Sequence, residues 1–174
     1  NSGMMVFNTN KLNLFINKVK NLNKKKEFYL TDLVNIFYEN LFNIGHYLCD
    51  YSECVGVNTM SELSVVNKLF QEKKRQYFLK RGVIMEDPLS IFFSSDTRIG
   101  KNVKIEPNVY FGKGVNIKDN VEIKSFTHLE NTLISSNVTI GPFARIRDNV
   151  EIGSHSKVGN FVEIKKSKIG KGSK

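Results

Sequence analysis

Large apolar residues recur at every sixth position along the second half of the chain. They run from Ile99 to Leu129 and, after one five-residue step, continue from Ile134 to Ile164. The residue two places before each of them is small or β-branched. An apolar pair at this spacing is one short strand with one buried face, and a period of six leaves room only for a short turn.

A repeated coil of short strands explains this period, whereas a helix falls out of phase with it. Three strands form one triangular coil, so the twelve repeats predict about four coils. Asparagine and glycine occupy many turn positions, where a positive φ is tolerated. The hexapeptide class predicts a left-handed parallel β-helix, and the alternative, a β-sandwich, does not hold a six-residue phase for so long. Glycine directly follows the large residue at Gly100, Gly112, Gly141, Gly153 and Gly159.

The first half of the chain alternates strand-like and helical patterns. The apolar run Met4–Phe7 resembles a buried strand, and residues 46–49 are a second candidate strand. Between them, Thr9 or Asn10 can cap one helix and Thr31 can cap another. This alternation predicts part of an α/β domain.

A long helix is predicted to join the two halves. Thr59 and Glu62 form a capping-box pattern at its start, and Gly82 marks its end. Its basic residues, which include Lys73, Lys74 and Arg75, are expected to face solvent.

The predicted fold is therefore an α/β fragment and a connecting helix followed by a left-handed parallel β-helix of hexapeptide repeats. The predicted boundaries are 1–57 for the α/β part, 58–82 for the connecting helix and 83–174 for the β-helix.

Composition narrows the classes of partner. The net charge is +9, but the lysines are spread among asparagines, so we expect no nucleic-acid binding, whereas anionic phosphate ligands fit the charge. No apolar run is long enough to span a membrane, so we expect no membrane-spanning segment. Two cysteines, Cys49 and Cys54, make no disulfide framework, so a cytoplasmic location is expected. Together with His46 they indicate a zinc site only weakly.

Several stretches of the chain carry a family resemblance. They are NSGMMVFN, KKKEFYLTD, ECVGVNTMSEL, GVIMEDP, TIGPFARIRDNVEI and VGNFVEIKKSKIGKGSK. Together they resemble, in the same order, an internal part of the bacterial bifunctional enzyme that is an N-acetylglucosamine-1-phosphate uridyltransferase and a glucosamine-1-phosphate acetyltransferase.

This resemblance implies two activities. The C-terminal domain of the family transfers acetyl from acetyl-CoA to the amine of glucosamine-1-phosphate. The N-terminal domain transfers a uridylyl group from UTP with Mg²⁺ and makes UDP-N-acetylglucosamine for peptidoglycan and lipopolysaccharide precursors. The family forms homotrimers through the β-helix, and its acetyl-transfer site lies between subunits.

The resemblance carries over to three residues. Arg147 and Lys165 match cations that bind the sugar phosphate, a role suited to a bidentate guanidinium beside a point charge. Asn1 matches an asparagine that contacts UDP-N-acetylglucosamine and helps to ligate Mg²⁺, which prefers oxygen ligands. Lys166 is expected to be an ordinary surface residue.

The chain departs from the family at both catalytic centres. The Gly-rich nucleotide loop and the metal-binding aspartate are not in the sequence, and the family's histidine base would lie beyond Lys174. His128 and His155 are expected to be corner residues and not bases. No catalytic residue is therefore assigned, and this internal fragment is expected to be inactive alone.

Two other functions are alternatives to the enzyme fragment. One is a non-catalytic trimerising β-helix remnant or scaffold, which would bind neither sugar phosphate nor coenzyme A. The other is a γ-type carbonic anhydrase, which needs three histidines at a trimer interface, whereas the repeats hold only His128 and His155.

Overall fold

A computed structural model describes residues 3–174 of the chain, apart from the side chain of Ser52. The chain divides into two compact units, Asn1–Val66 and Asn67–Lys174. The division at 66 differs from the predicted boundaries after residues 57 and 82, which stay predictions.

The first unit is helical. It contains α1 (Thr9–Phe15), continued by a 3₁₀ turn, and α2 (Asp32–Glu39). The predicted caps need correction, because Asn8 is the residue whose side chain accepts from the Lys11 backbone N–H, and not Thr9 or Asn10. Thr31 precedes α2 as predicted, but its side chain makes no capping hydrogen bond.

The two strands predicted in the first unit were wrong. No residue from Gly3 to Thr59 belongs to a strand. A strand needs a neighbour for its backbone hydrogen bonds, and these two runs do not pair with each other. Instead, a cluster of edge-to-face rings with centroids 5.5–5.7 Å apart joins Phe7, Phe15, Phe37 and Phe42.

The predicted long helix is α3 (Met60–Lys80). The Thr59 backbone N–H donates to Glu62 at 2.8 Å and the Glu62 N–H donates to Thr59 Oγ1 at 3.2 Å, so the capping box is confirmed. At its end, Gly82 has φ +83°, and the Val83 N–H donates to the Phe78 carbonyl, which is a Schellman arrangement. None of the helices in the described residues is of a length and apolarity suited to crossing a bilayer.

The second unit is a parallel β-solenoid of about five coils. Its three five-stranded parallel sheets have the orders β1-β4-β7-β10-β13, β14-β11-β8-β5-β2 and β15-β12-β9-β6-β3. The strands are β1 (Ile84–Met85), β2 (Phe92–Phe93), β3 (Arg98–Ile99), β4 (Lys104–Ile105), β5 (Tyr110–Phe111), β6 (Val115–Ile117), β7 (Glu122–Ile123), β8 (His128–Leu129), β9 (Thr132–Ile134), β10 (Thr139–Ile140), β11 (Arg145–Arg147), β12 (Val150–Ile152), β13 (Lys157–Val158), β14 (Glu163–Lys165) and β15 (Lys168–Ile169).

The strand register confirms the repeat and its phase shift. Ile99 pairs with Ile117, which lies 18 residues later, whereas Ile117 pairs with Ile134, only 17 residues later. The five-residue step therefore shortens one coil without moving a side chain to the other face. The prediction of about four coils was too low, because β1 and β2 precede the twelve repeats and β15 follows them.

The solenoid core consists of the predicted apolar pairs. Both residues of each pair are buried in the coils up to Val158, whereas Val162 and Ile164 on the last complete coil are half-buried. Stacked rings of Phe93 and Phe111, with centroids 5.0 Å apart, continue the column toward its first coil.

Glycine and asparagine serve different purposes at the corners. Asn102, Asn120 and Asn137 hold positive φ angles, where the asparagine side chain is tolerated. Gly153 does not need a positive φ; instead, a Cβ there would lie 2.7 Å from the Lys171 backbone nitrogen of the next coil. Most glycines after the large residues thus permit close contact between coils, and not the left-handed conformation that the sequence suggested.

The first coil is closed by α3 and not by another strand. The Gln71 side-chain amide donates to the Phe93 carbonyl at 2.8 Å and accepts from the Phe93 N–H at 2.9 Å. The expectation of a solvated basic face was wrong for Arg75, which is 8% exposed and paired with Glu72 at 3.0 Å. Close packing of this helix on the coil buries the aliphatic stem of Arg75 while the ion pair neutralises its charge.

Candidate functional site

Arg147 and Lys165 are neighbours on adjacent coils. Arg147 ends β11, Lys165 ends β14, and the two residues are register partners in the same parallel sheet. Strand residues alternate between faces, so the inward position of Ile146 between Arg145 and Arg147 places both arginines on the outer face. The structure therefore brings together the two cations that were expected to bind the sugar phosphate.

Arg147 is held by two carboxylates. Its Nε donates to Glu163 at 2.8 Å, and its Nη1 donates to Asp148 at 2.6 Å. The side chain is 26% exposed, so it is partly buried. The hydrogen bond to Glu163 raises the pKa of the arginine above its ordinary value and lowers the pKa of the Glu163 carboxyl.

A third cation completes this charged cluster, which consists of Arg145, Arg147, Lys165, Asp148 and Glu163. Arg145 lies 3.8 Å from the Glu163 carboxylate. The cluster has three positive and two negative side chains, so it keeps an excess of one positive charge. An anion approaching it meets donors that are already oriented by the carboxylates.

The expected phosphate role fits the donors of this cluster. A guanidinium has five N–H donors, and only its Nε and Nη1 have recorded partners among residues 3–174. The exposed ammonium of Lys165 can approach from the neighbouring coil. A phosphate monoester has the charge and the several acceptor oxygens that such a pair binds.

Sequence reasoning missed Arg145, Asp148 and Glu163. Two signals could have identified Arg145 and Glu163. The alternation of strand faces puts Arg145 beside Arg147, and a coil length of 18 residues places Glu163 directly opposite Arg145.

The two solenoid histidines occupy different environments. His155 has φ +61° and is exposed at a corner, as expected. His128 is not a corner residue, because it lies on β8 and stacks on Tyr110 with ring centroids 4.7 Å apart, while Tyr110 stacks on Phe92 at 4.8 Å. Burial in this stack, followed by the charge of Arg145, lowers the pKa of His128.

Residues 3–174 supply no recognisable metal centre. They contain no group of three or more His, Cys, Asp or Glu side chains arranged to hold an ion. Asn1, the one residue expected to ligate Mg²⁺ and to contact the UDP-sugar, lies outside the described residues.

Comparison with known proteins shows that the repeat resembles a recognised hexapeptide pattern. The bacterial transferase hexapeptide (six repeats) pattern matches residues 96–131 and 131–166. A solved GDP-perosamine N-acetyl transferase from Caulobacter crescentus, in complex with CoA and GDP-perosamine, aligns with 61% of this chain and 60% of its own. Its 16% identity and TM-score of 0.29 are too low to support an inference.

Curated relatives match the whole chain. It is 42% identical over all 174 residues to the bifunctional protein GlmU of Paramagnetospirillum magneticum (strain AMB-1) and 40% identical to that of Wolbachia pipientis wMel. The matches cover 39% and 40% of those proteins. The chain thus spans about two fifths of the length of these relatives.

Proposed function

Because the chain is homologous over its whole length to part of the bifunctional protein GlmU, we propose that its solenoid carries the sugar-phosphate subsite of a glucosamine-1-phosphate acetyltransferase. The single observation that supports this proposal is the register pairing of Arg147 with Lys165. One cation on each of two coils forms a positive site that no single hexapeptide repeat contains.

Each member of the charged cluster has a separate part in binding. Arg147 donates to the phosphate through the N–H groups that Glu163 and Asp148 leave available. Lys165 adds a second positive charge from the next coil. The carboxylates fix the plane of the guanidinium, which reduces the entropy lost when the phosphate binds.

Acetyl transfer also requires a base to remove a proton from the sugar amine. His128 pairs in register with Arg145 of the cluster, but the family resemblance assigns the base to a histidine that matches neither His128 nor His155. We therefore expect this chain by itself to bind glucosamine-1-phosphate without transferring acetyl from acetyl-CoA. Uridylyl transfer from UTP, with Mg²⁺ and a UDP-sugar contact at Asn1, likewise belongs to the proposed whole protein.

The proposed assembly is a cytoplasmic homotrimer formed through the solenoid, in line with the family resemblance. A solenoid surface from a second copy would then complete the acetyl-transfer site. Sedimentation of the full chain measures its oligomeric state, and a monomer at micromolar concentration would contradict the proposed trimer.

Calorimetric titration with glucosamine-1-phosphate tests the phosphate role. We expect Arg147→Ala to weaken binding by about tenfold or more, because a hydrogen bond to a charged group contributes about 1.5–3 kcal/mol. Lys157→Ala is the matched control, since it also removes one exposed cation but lies on β13 in another sheet.

Two outcomes would reject the phosphate subsite. The first is equal weakening by Arg147→Ala and Lys157→Ala, which would indicate attraction by net charge alone. The second is a stable trimer that binds no sugar phosphate, which would favour a non-catalytic scaffold.

A further inference from the structure

Cys49 and Cys54 lie together at one short turn of the first unit. Their Sγ atoms are 2.8 Å apart. The intervening 3₁₀ turn, Tyr51–Glu53, reverses the chain, and it is held by the Glu53 N–H to Asp50 carbonyl and Cys54 N–H to Tyr51 carbonyl bonds, both 3.0 Å. The backbone turn therefore brings the two cysteines together, and their thiols are in contact.

Both thiols are accessible to a small reagent. Cys49 is exposed, and Cys54 is half-buried. They line one side of an open cavity of about 990 Å³ whose other walls include Met5, Phe37 and Phe42. A small disulfide can therefore reach the pair.

We propose that Cys49 and Cys54 form a reversible intramolecular disulfide by exchange with a low-molecular-weight disulfide of the glutathione class. The thiolate of one cysteine attacks a sulfur of the small disulfide and releases one small thiolate. The thiolate of the other cysteine then attacks the protein sulfur of this mixed disulfide and releases the second. The two protein thiols lose two electrons, the small disulfide gains them, and the two protons leave on the released thiols.

The proposed exchange depends on both cysteines, because the surroundings of Cys49 do not activate its thiol. The hydrogen bond with Cys54, then burial, then the charges of Cys54 and Glu53 raise the pKa of the Cys49 thiol. Cys49 therefore stays largely protonated at neutral pH, and exchange starts from a minor thiolate population. This redox site is independent of the proposed phosphate subsite, which lies in the second unit.

The test exposes the full-length chain to oxidised glutathione at mildly alkaline pH, followed by acid quenching and intact-mass analysis. We expect wild type to lose two hydrogens, to retain no glutathione, and to recover both thiols with excess reduced glutathione. Cys49→Ser and Cys54→Ser each keep one thiol and are expected to accumulate a persistent mixed disulfide with one glutathione.

A second measurement separates a fold-held pair from mere closeness in sequence. The equilibrium ratio of intramolecular disulfide to dithiol should be several-fold higher in the folded chain than in the same chain in denaturant. An equal or lower ratio in the folded chain would overturn the proposal. So would a wild-type chain that stays reduced, or keeps bound glutathione, under conditions that modify both single variants.

Discussion

The two units of this chain bury their apolar residues to very different extents. In the second unit almost every inward apolar side chain is buried, whereas among the described hydrophobic residues of the first unit only Val19 and Leu33 are buried. Side chains such as Leu22 and Leu48 are 83% and 85% exposed. A repeat that stacks on its own neighbours completes its core within a short stretch of chain, whereas helices of a mixed domain need partners distant in sequence.

The largest test of this contrast removes one leucine from each unit. Leu129 is fully buried in the solenoid, so Leu129→Ala should lower the free energy of unfolding by about 2–5 kcal/mol. Leu48→Ala in the first unit should change it by less than about 0.5 kcal/mol. Urea denaturation followed by circular dichroism measures both, and similar losses would show that the first unit shares the solenoid's cooperative core.

A smaller effect is expected from glycines. Gly153→Ala places a Cβ 2.7 Å from the Lys171 backbone nitrogen, so separating the coils should cost about 1–3 kcal/mol. Gly56→Ala in the first unit meets nothing within 4 Å and needs no positive φ. It should be neutral or slightly stabilising in the same denaturation experiment. A neutral Gly153→Ala would mean that the coils are less tightly stacked than their geometry indicates.

The smallest effect should appear in how the free energy of unfolding falls at acidic pH. The Ser125 backbone N–H, helped by its hydroxyl, lowers the pKa of Glu106, and backbone N–H groups of Asn58 and Thr59 lower that of Glu62. A carboxyl whose pKa is lower in the folded than in the unfolded state stabilises the folded protein at pH values above its unfolded pKa. This stabilisation is lost as the pH falls through the pKa of the folded state.

Variants of these two carboxylates distinguish the units. Glu106→Gln should flatten the decline of solenoid stability below the ordinary glutamate pKa, whereas Glu62→Gln should leave that decline unchanged. Urea midpoints measured from neutral to acidic pH provide the comparison. Identical pH profiles for wild type and Glu106→Gln would contradict the assigned hydrogen bond.

Predictability also differed between the units. The solenoid strands follow from a period visible over a dozen repeats, and even the five-residue step appears in the register of Ile117 with Ile134. The first unit offered only short apolar runs, which fit a strand or a helix flank equally well until a hydrogen-bonding partner is known. Its two predicted strands were therefore wrong, while its helices were located correctly.

The candidate site could be predicted only in part. Arg147 and Lys165 were identified by family resemblance and remain assigned to phosphate as a proposal. Glu163 was missed because its hydrogen bond to Arg147 crosses from one coil to the next, 16 residues away. The position of His128 was also misjudged, because stacking on Tyr110 depends on register and not on local sequence.

By itself the sequence determined the repeat, the inward residues, the start and end of α3, and the resemblance to a bifunctional sugar-phosphate enzyme. These features depend on local periodicity and local hydrogen bonds. Only the tertiary structure decided that Gln71 closes the first coil, that two carboxylates hold Arg147, and that Cys49 and Cys54 are in contact. Those contacts depend on side-chain directions and on the separation of coils or turns, which one-dimensional patterns do not specify.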